Sequence, residues 1–245
     1  MASLVDRSSH YAVPAGVGPD WSVAEVAALR LWHGQSGPSD DVQRAVSPGC
    51  TLLVLGHCSR SPNELLNIAR MVGQGDVTAL ASVGGSCVVI AARQDDVVVA
   101  GDLAGQRVVF HAHTPDGTLV IGSHASQLTS VVDGSLSREW LATRLLVPNA
   151  SDVWWTGSPW QEVHALRPGW LLRVSRVGQV ATQPLAMLPK PEGDCFQAGD
   201  LLERALHSAV STRVSRAGRP TVDLSGGWDS STVAALASRA SAASV

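Results

Sequence analysis

The sequence predicts an α+β protein: an N-terminal part built of antiparallel sheets, then the first strand and helix of a doubly wound α/β unit. Three observations carry this. Short runs rich in β-branched residues crowd together between Cys87 and Ile121, with connectors too short for crossover helices. Residues 184–194 gather Pro184, Pro189, Pro191 and Gly193 and interrupt the pattern. Beyond them, Thr221 to Leu224 is a short apolar strand that breaks at Gly226-Gly227 into a helical run reaching Ala237.

Residues 1–20, rich in Ser, Gly and Pro, are expected to hug the surface or to be poorly ordered. Trp21 to Trp32 has apolar positions too irregular to assign, and Gly34 to Asp41 reads as a loop. Thr51 to Leu55 is an apolar strand. Pro62 opens a helix over Asn63 to Val72, whose Leu65, Leu66, Ile68, Ala69 and Val72 share a face. Strands are expected at Cys87 to Ala91, Val97 to Gly101, Arg107 to His111 and Thr118 to Ile121. They are joined as hairpins through Arg93-Gln94-Asp95-Asp96, Asp102-Leu103-Ala104-Gly105 and Thr114-Pro115-Asp116-Gly117. Ser123 to Val131 and Ser137 to Leu146 read as helices, the second with Ser137 as its N-cap. A Trp-rich stretch with Trp154, Trp155 and Trp160 leads to a strand at Leu171 to Val174. After the interruption, Phe196 to Arg216 forms a long helix with Leu201, Leu202, Ala205, Leu206, Ala209, Val210 and Val214 on one stripe. The domain reading is 1–185, a linker at 186–195, and 196–245.

Length and composition bound the function. The 245 residues are 45% hydrophobic and only 16% charged, so much of the chain should be buried or self-associating. Net charge is -3 without a basic cluster, and one Tyr and two Phe offer little for stacking bases, which disfavours nucleic acid as a partner. No apolar run reaches membrane-spanning length, and the first residues lack the pattern of a signal peptide. Cys50, Cys58, Cys87 and Cys195 show no Cys-x-x-Cys pairing and read as reduced thiols of a cytoplasmic protein. His57 beside Cys58 reads as a strand end rather than a metal or nucleophile pair. Lys190, the one lysine, confines lysine-dependent chemistry to a single position.

The richest segment is Leu224-Ser225-Gly226-Gly227-Trp228-Asp229-Ser230-Ser231. A glycine turn ahead of a helix frees backbone amides that point at one spot, where the positive end of the helix dipole favours a phosphate chain. Gly226 and Gly227 allow close approach of the backbone; Ser225, Ser230 and Ser231 add hydroxyl donors; Asp229 offers an oxygen to Mg²⁺. A Walker A loop is excluded because Trp228 stands where its Lys would be. The plainer alternative is a strand-to-helix turn in which Asp229 and the serines act as caps.

Ser-Gly-Gly-x-Asp-Ser-Ser after a strand resembles the PP-loop of ATP pyrophosphatases, which adenylylate a carbonyl oxygen and release pyrophosphate. Further stretches resemble the asparagine synthetase family. Val98 to Gly105 is similar to the Arg-Asp-x-x-Gly turn of its glutaminase-like half. Gly122-Ser123 followed by Leu128 is similar to an Ala-Ser-Glu-x-x-x-Leu segment, and Leu166-Arg167-Pro168-Gly169 to the turn closing that half. Leu202 to Ala237 resembles the opening of its synthetase half. The resemblance implies an Ntn-type αββα sandwich over 1–185, a class II amidotransferase-like domain, followed by the start of an ATP-binding domain. It also implies ATP and Mg²⁺ as cofactors, with Leu224, Ser225, Gly226, Gly227, Asp229, Ser230 and Ser231 at the nucleotide and Asp229 at the metal.

Departures from that pattern matter as much. A glutaminase of this family begins, after Met removal, with a cysteine whose amine serves as its base, whereas Ala2 and Ser3 follow Met1 here. No Asn-Gly-Glu-Ile-Tyr-Asn-like segment is present, and Pro62 falls where an acidic residue is expected. The first domain is therefore read as a degenerate scaffold without ammonia production and with no catalytic residue assigned. Relatives lacking the nucleophile include β-lactam synthetase and lasso-peptide cyclases, in which a substrate amine attacks the acyl-adenylate. The implied substrate is a precursor peptide or small carboxylate, with a precursor-processing protein as a further partner. The second Asp and the Lys of the family's synthetase half have no counterpart after residue 220, so the chain by itself is expected to be an inactive part of a ligase. An asparagine synthetase fragment, an inactive binding module and a GMP- or NAD-synthetase-like PP-loop enzyme remain as alternatives.

Overall fold

A computed structural model describes residues 2–6, 21–26 and 29–34 as backbone strands, and residues 42–132, 134–149, 157–186, 193–217 and 219–242 more fully. The chain divides into two compact units, Met1–Met187 and Leu188–Val245.

The first unit holds two antiparallel six-stranded sheets. Strands β1 (Ala2–Asp6), β2 (Trp21–Val26), β3 (Leu29–Gly34), β8 (Phe110–His113), β9 (Leu119–Gly122) and β10 (His164–Ala165) form sheet A, in the order β10-β8-β9-β1-β3-β2. Strands β4 (Val42–Ser47), β5 (Cys50–Cys58), β6 (Gly85–Arg93), β7 (Asp96–Ala100), β11 (Trp170–Ser175) and β12 (Val180–Pro184) form sheet B, in the order β12-β11-β7-β6-β5-β4.

Sheet B is apolar on both faces, and this sets the layering. Leu52, Val54, Val89, Ala91, Val98, Ala100 and Leu171 point one way and pack with Leu65, Ile68, Ala69 and Val72 of helix α1 (Pro62–Gly73). The alternate residues Leu53, Ile90, Val97, Val99, Leu172 and Val174 point the other way and pack with Leu119 and Ile121 of sheet A. On the far side of sheet A, Ala112 and Val120 meet Ala125 and Leu128 of the single-turn helix α2 (Ala125–Leu128). The result is a helix–sheet–sheet–helix sandwich, as an α+β reading requires.

Helix α1 starts where its local chemistry dictates. Ser61 is the N-cap and Pro62 the first helical residue, and the Ser61 N–H donates to Glu64 Oε2 at 2.8 Å while Ser61 Oγ accepts from the Glu64 N–H. Helix α3 (Arg138–Leu146) is likewise capped by Ser137, which accepts from the Trp140 N–H at 3.1 Å.

Several expectations are corrected. Ala2–Asp6 is not a surface tail: its backbone is an inner strand, paired on one side with β3 and on the other with β9. Trp21–Val26 and Leu29–Gly34 pair as a hairpin, although residues 27 and 28, both alanine, carry no turn chemistry. The Asp102 segment is not a hairpin. β7 and β8 lie in different sheets, and the buried Asp102 carboxylate collects the N–H groups of Ala104, Gln106 and Arg107 at 3.0, 3.1 and 2.5 Å, turning the chain out of one sheet into the other. Residues 107–109 accordingly precede the strand that begins at Phe110. The helix expected over Ser123 to Val131 shrinks to Ala125–Leu128, and β12 occupies Val180–Pro184 where Pro184 suggested the interruption. Pro184 ends an edge strand, where its missing N–H costs no ladder bond. The loop expected at Gly34 to Asp41 falls beyond Gly34 outside the described residues, as do Trp154, Trp155 and Lys190.

One ion network ties the layers at an end of sheet B. Asp96, whose side chain is 7% exposed, accepts from Arg93 Nε at 2.6 Å and Nη2 at 3.0 Å and from Arg173 Nε at 2.5 Å. Arg93 Nη1 also donates to the carbonyl of Val72 at the end of α1. Burial pushes the Asp96 carboxyl upward, but the hydrogen bonds and charges of Arg93 and Arg173 outweigh it and hold the group below the usual carboxylate range. Its contribution to stability is therefore complete above the ordinary carboxylate pKa and is lost as pH falls through the lower folded value. Asp96→Ala should cost about 3 kcal/mol, because two partly buried guanidinium groups lose their counter-charge. Urea denaturation at pH 7 checks this, and the difference between wild type and variant should narrow below about pH 4.

Candidate functional site

The second unit contains helix α4 (Cys195–Arg216) and helix α5 (Trp228–Ala242), joined by the glycine turn. Asp194 caps α4 by accepting from the Gln197 N–H at 2.9 Å. The expected apolar stripe of α4 is present in sequence but not buried. Leu201 and Leu202 are exposed and α4 buries none of its side chains, while α5 buries Leu236 and Ala237. Thr221 to Leu224 is not a strand, which corrects the expectation. A strand exists by pairing, and among the described residues no strand of this unit lies beside it.

The turn itself is organised. Gly226 has φ of 85°, in the left-handed region where a glycine is favoured. The Ser225 N–H donates to Ser230 Oγ at 3.3 Å, the Ser225 and Ser230 hydroxyls lie 3.1 Å apart, and Ser230 Oγ donates to the Gly227 carbonyl at 3.2 Å. The Ser231 N–H reaches the same Gly227 carbonyl at 3.2 Å, closing the first helical turn. The chain thus bends back over Ser230. The N–H groups of Trp228, Asp229 and Ser230 precede that first intrahelical bond, so they are the donors a helix start leaves for a ligand.

Ser225, Gly226, Gly227, Ser230 and Ser231 are thereby brought into one turn, with Asp229 in the first turn of α5. Leu224, just before the turn, is 70% exposed, and Trp228 is 91% exposed. The serines bond to one another and to the turn's own carbonyl, which is also how a plain helix cap would use them.

Phosphate and metal fit this turn to different degrees. A side chain at Gly226 or Gly227 would meet little: nothing lies within 4 Å of a Cβ at Gly226, and at Gly227 the nearest atom is Ser225 Oγ at 3.8 Å. The space in front of the glycines is open, as a phosphate chain requires. Asp229 offers one carboxylate, and among the described residues no group of three His, Cys, Asp or Glu side chains could hold a metal ion. It suits Mg²⁺ carried in on phosphate oxygens, since that ion keeps waters and accepts one or two carboxylates.

The first unit offers less chemistry. Burial pushes the thiols of Cys50 and Cys87 up to about 11 and about 12, so both are poor nucleophiles, and Cys50, Cys58 and Cys87 are buried and unbridged. His57-Cys58 ends β5, as a strand end, and Cys58 Sγ accepts from the Arg60 N–H at 3.4 Å. Arg167-Pro168-Gly169-Trp170 is a tight turn closed by the Trp170 N–H on the Arg167 carbonyl at 3.0 Å, and it launches β11. No helix among the described residues is long and apolar enough to cross a membrane.

Residues 201–245 match the family model described as Asparagine synthase. The matched stretch holds the glycine turn and α5 whole. Among solved structures, the chain is similar to glutamine phosphoribosylpyrophosphate (PRPP) amidotransferase from B. subtilis, complexed with ADP and GMP. The identity is 12% and the TM-score 0.40, over 66% of this chain and 36% of that one. A structure described as the allosteric regulatory enzyme of purine biosynthesis matches with the same identity, score and coverage. The chain thus spans 36% of the length of each of these structures. No curated protein matches the sequence significantly.

The two glycines should respond differently to a bulky side chain. Gly226→Val forces a β-branched residue to positive φ, at a cost of about 1–3 kcal/mol to the turn. Gly227→Val finds open space, so α5 should form and only an incoming ligand should be obstructed. Amide exchange at Ser225 and Ser231 distinguishes them: protection should fall in the first variant and hold in the second.

Proposed function

We propose that the chain is the N-terminal part of an ATP-dependent, amide-forming ligase of the asparagine synthase type. It would adenylylate a carboxylate and release pyrophosphate, with Ser225 to Ser231 gripping the triphosphate. The observation that carries this reading is the positive-φ glycine turn ahead of α5, lying inside the stretch that matches the family model. In it, the amides of Trp228 to Ser230 and the hydroxyls of Ser225, Ser230 and Ser231 bind phosphate oxygens, and Asp229 contributes one oxygen to a phosphate-borne Mg²⁺. That ion would neutralise charge on the leaving pyrophosphate.

Within this class the reading extends to a lasso-peptide macrolactam cyclase, in which an amine of the substrate attacks the acyl-adenylate. Its support is the resemblance to relatives without a glutaminase nucleophile, together with the first unit's buried thiols Cys50 and Cys87, which burial makes poor nucleophiles.

A second reading is favoured by one observation, the exposure of Leu224 and Trp228 on either side of the turn. In it the chain is a binding module and the turn a relic. Titration calorimetry with Mg²⁺-ATP separates the two. Wild type should bind, and Asp229→Ala and Ser225→Ala should each weaken binding about tenfold or more, the loss of one charge-assisted contact. Absence of binding by the wild-type chain, with partner capture untouched by both substitutions, would leave the module reading standing. Pyrophosphate release with a ring-forming peptide, against aspartate plus ammonium, distinguishes cyclase from asparagine synthesis.

A further inference from the structure

Three histidines meet at one edge of sheet A. His111 and His113 alternate onto the same face of β8, and β10, a strand of only two residues, places His164 directly opposite His111. The His111 and His164 rings lie 5.6 Å apart, tilted by 38°. The pairing of His111 with Ile121 and of His113 with Leu119 puts these imidazoles on the face that meets sheet B. His111 Nδ1 is buried there with no hydrogen-bond partner among the described residues. An orphaned buried imidazole nitrogen is tolerable while the ring is neutral and becomes costly when it must carry a proton.

The attachment of β10 to sheet A is short. β10 is held there by its two-residue pairing with β8 and by the Leu166 N–H on the Val109 carbonyl at 2.7 Å, while the residues before it are tied to the 135–137 stretch, outside the sheet, by the Ser137 N–H on the Pro159 carbonyl at 2.8 Å and the Gln161 N–H on the Ser135 carbonyl at 3.0 Å. Those bonds position Val163 and Leu166, both buried, and the partly buried Trp160 against the two hydrophobic layers.

We propose that His111 and His164 form an acid-sensitive clasp, in which proton uptake by His111 releases β10, and with it the 157–166 segment, from the edge of sheet A. Among the described side chains packed on His111, none supplies a compensating negative charge, and Glu162, two residues before His164, is exposed. β9 and α2 bring no ionisable side chain, and His124 at the start of α2 is engaged with Ser123. β10 brings His164, and β8 itself adds His113. On sheet B, the strand positions alternating onto this layer carry Arg44 and His57 as their ionisable residues, and neither supplies a negative charge. Burial first, then His164 and His113, pull His111 down to about 4, which agrees with the geometry. The sign follows: between the ordinary histidine pKa and that value the released form binds the proton and the closed form does not, so release is favoured as pH falls. With the lowered value near 4, the released form should gain roughly twentyfold in relative population between pH 7 and pH 5.

Hydrogen exchange of the whole chain, corrected for intrinsic rates, tests this. Wild type should lose protection across 157–166 by about tenfold or more from pH 7 to pH 5, while β5 and β6 hold theirs. His111→Leu should abolish the pH dependence and His164→Gln should reduce it, with both retaining the protection of β5 and β6. Should His111→Leu fail to fold, NMR titration of the wild-type His111 ring decides, because the clasp requires a midpoint well below the ordinary value. Protection in 157–166 that does not change with pH, an ordinary His111 midpoint, or full acid release in His111→Leu would each overturn the proposal.

Discussion

Sheet B must be covered on both faces, and the architecture of the first unit follows from that need. In β5, β6, β7 and β11 successive residues are apolar, so each strand sends one set of side chains to α1 and the alternate set to sheet A. A sheet with one wet face could stop at two layers; this one cannot. The consequence appears at its margins. Asp96 at the start of β7 joins Arg93 and Arg173, and Asp102 beyond its end gathers three amides to carry the chain from one sheet to the other.

This constraint also decided what could be read in the sequence. Continuous apolar runs such as Val97-Val98-Val99-Ala100 announce strands without an alternating pattern, and Pro62 with the apolar face that follows places α1 to within a residue at each end. What escaped lacked a local signal. The sequence between β2 and β3 is two alanines with no turn chemistry, β1 sits in a Ser-containing start that resembles a tail, and β10 is two residues whose strand state depends on β8. The Asp102 connector was misassigned for a further reason: its length fits a hairpin, and only the burial of the carboxylate reveals a crossing between sheets.

The candidate site was legible for the opposite reason, since its residues lie within eight positions and the chemistry of a glycine turn before a helix is local. Ser225, Gly226, Gly227, Ser230 and Ser231 form one turn because the hydroxyl of Ser230 reaches back to Ser225 and Gly227. Non-local structure was not legible there. Thr221 to Leu224 has the composition of a strand and no ladder, and the α4 stripe has the spacing of a core face and no cover. Periodicity encodes the capacity to bury a face, and burial itself requires a neighbour.

The account rests on the claim that the amides from Gly226 to Ser230 converge on a phosphate chain. A crystal structure with Mg²⁺ and ATP tests it most directly. The account predicts phosphate oxygens within about 3 Å of the N–H groups of Trp228, Asp229 and Ser230, with the Ser225–Ser230 hydroxyl contact opened toward the ligand. Nucleotide bound elsewhere, with that turn filled by solvent and its serines still bonded to each other, would contradict it.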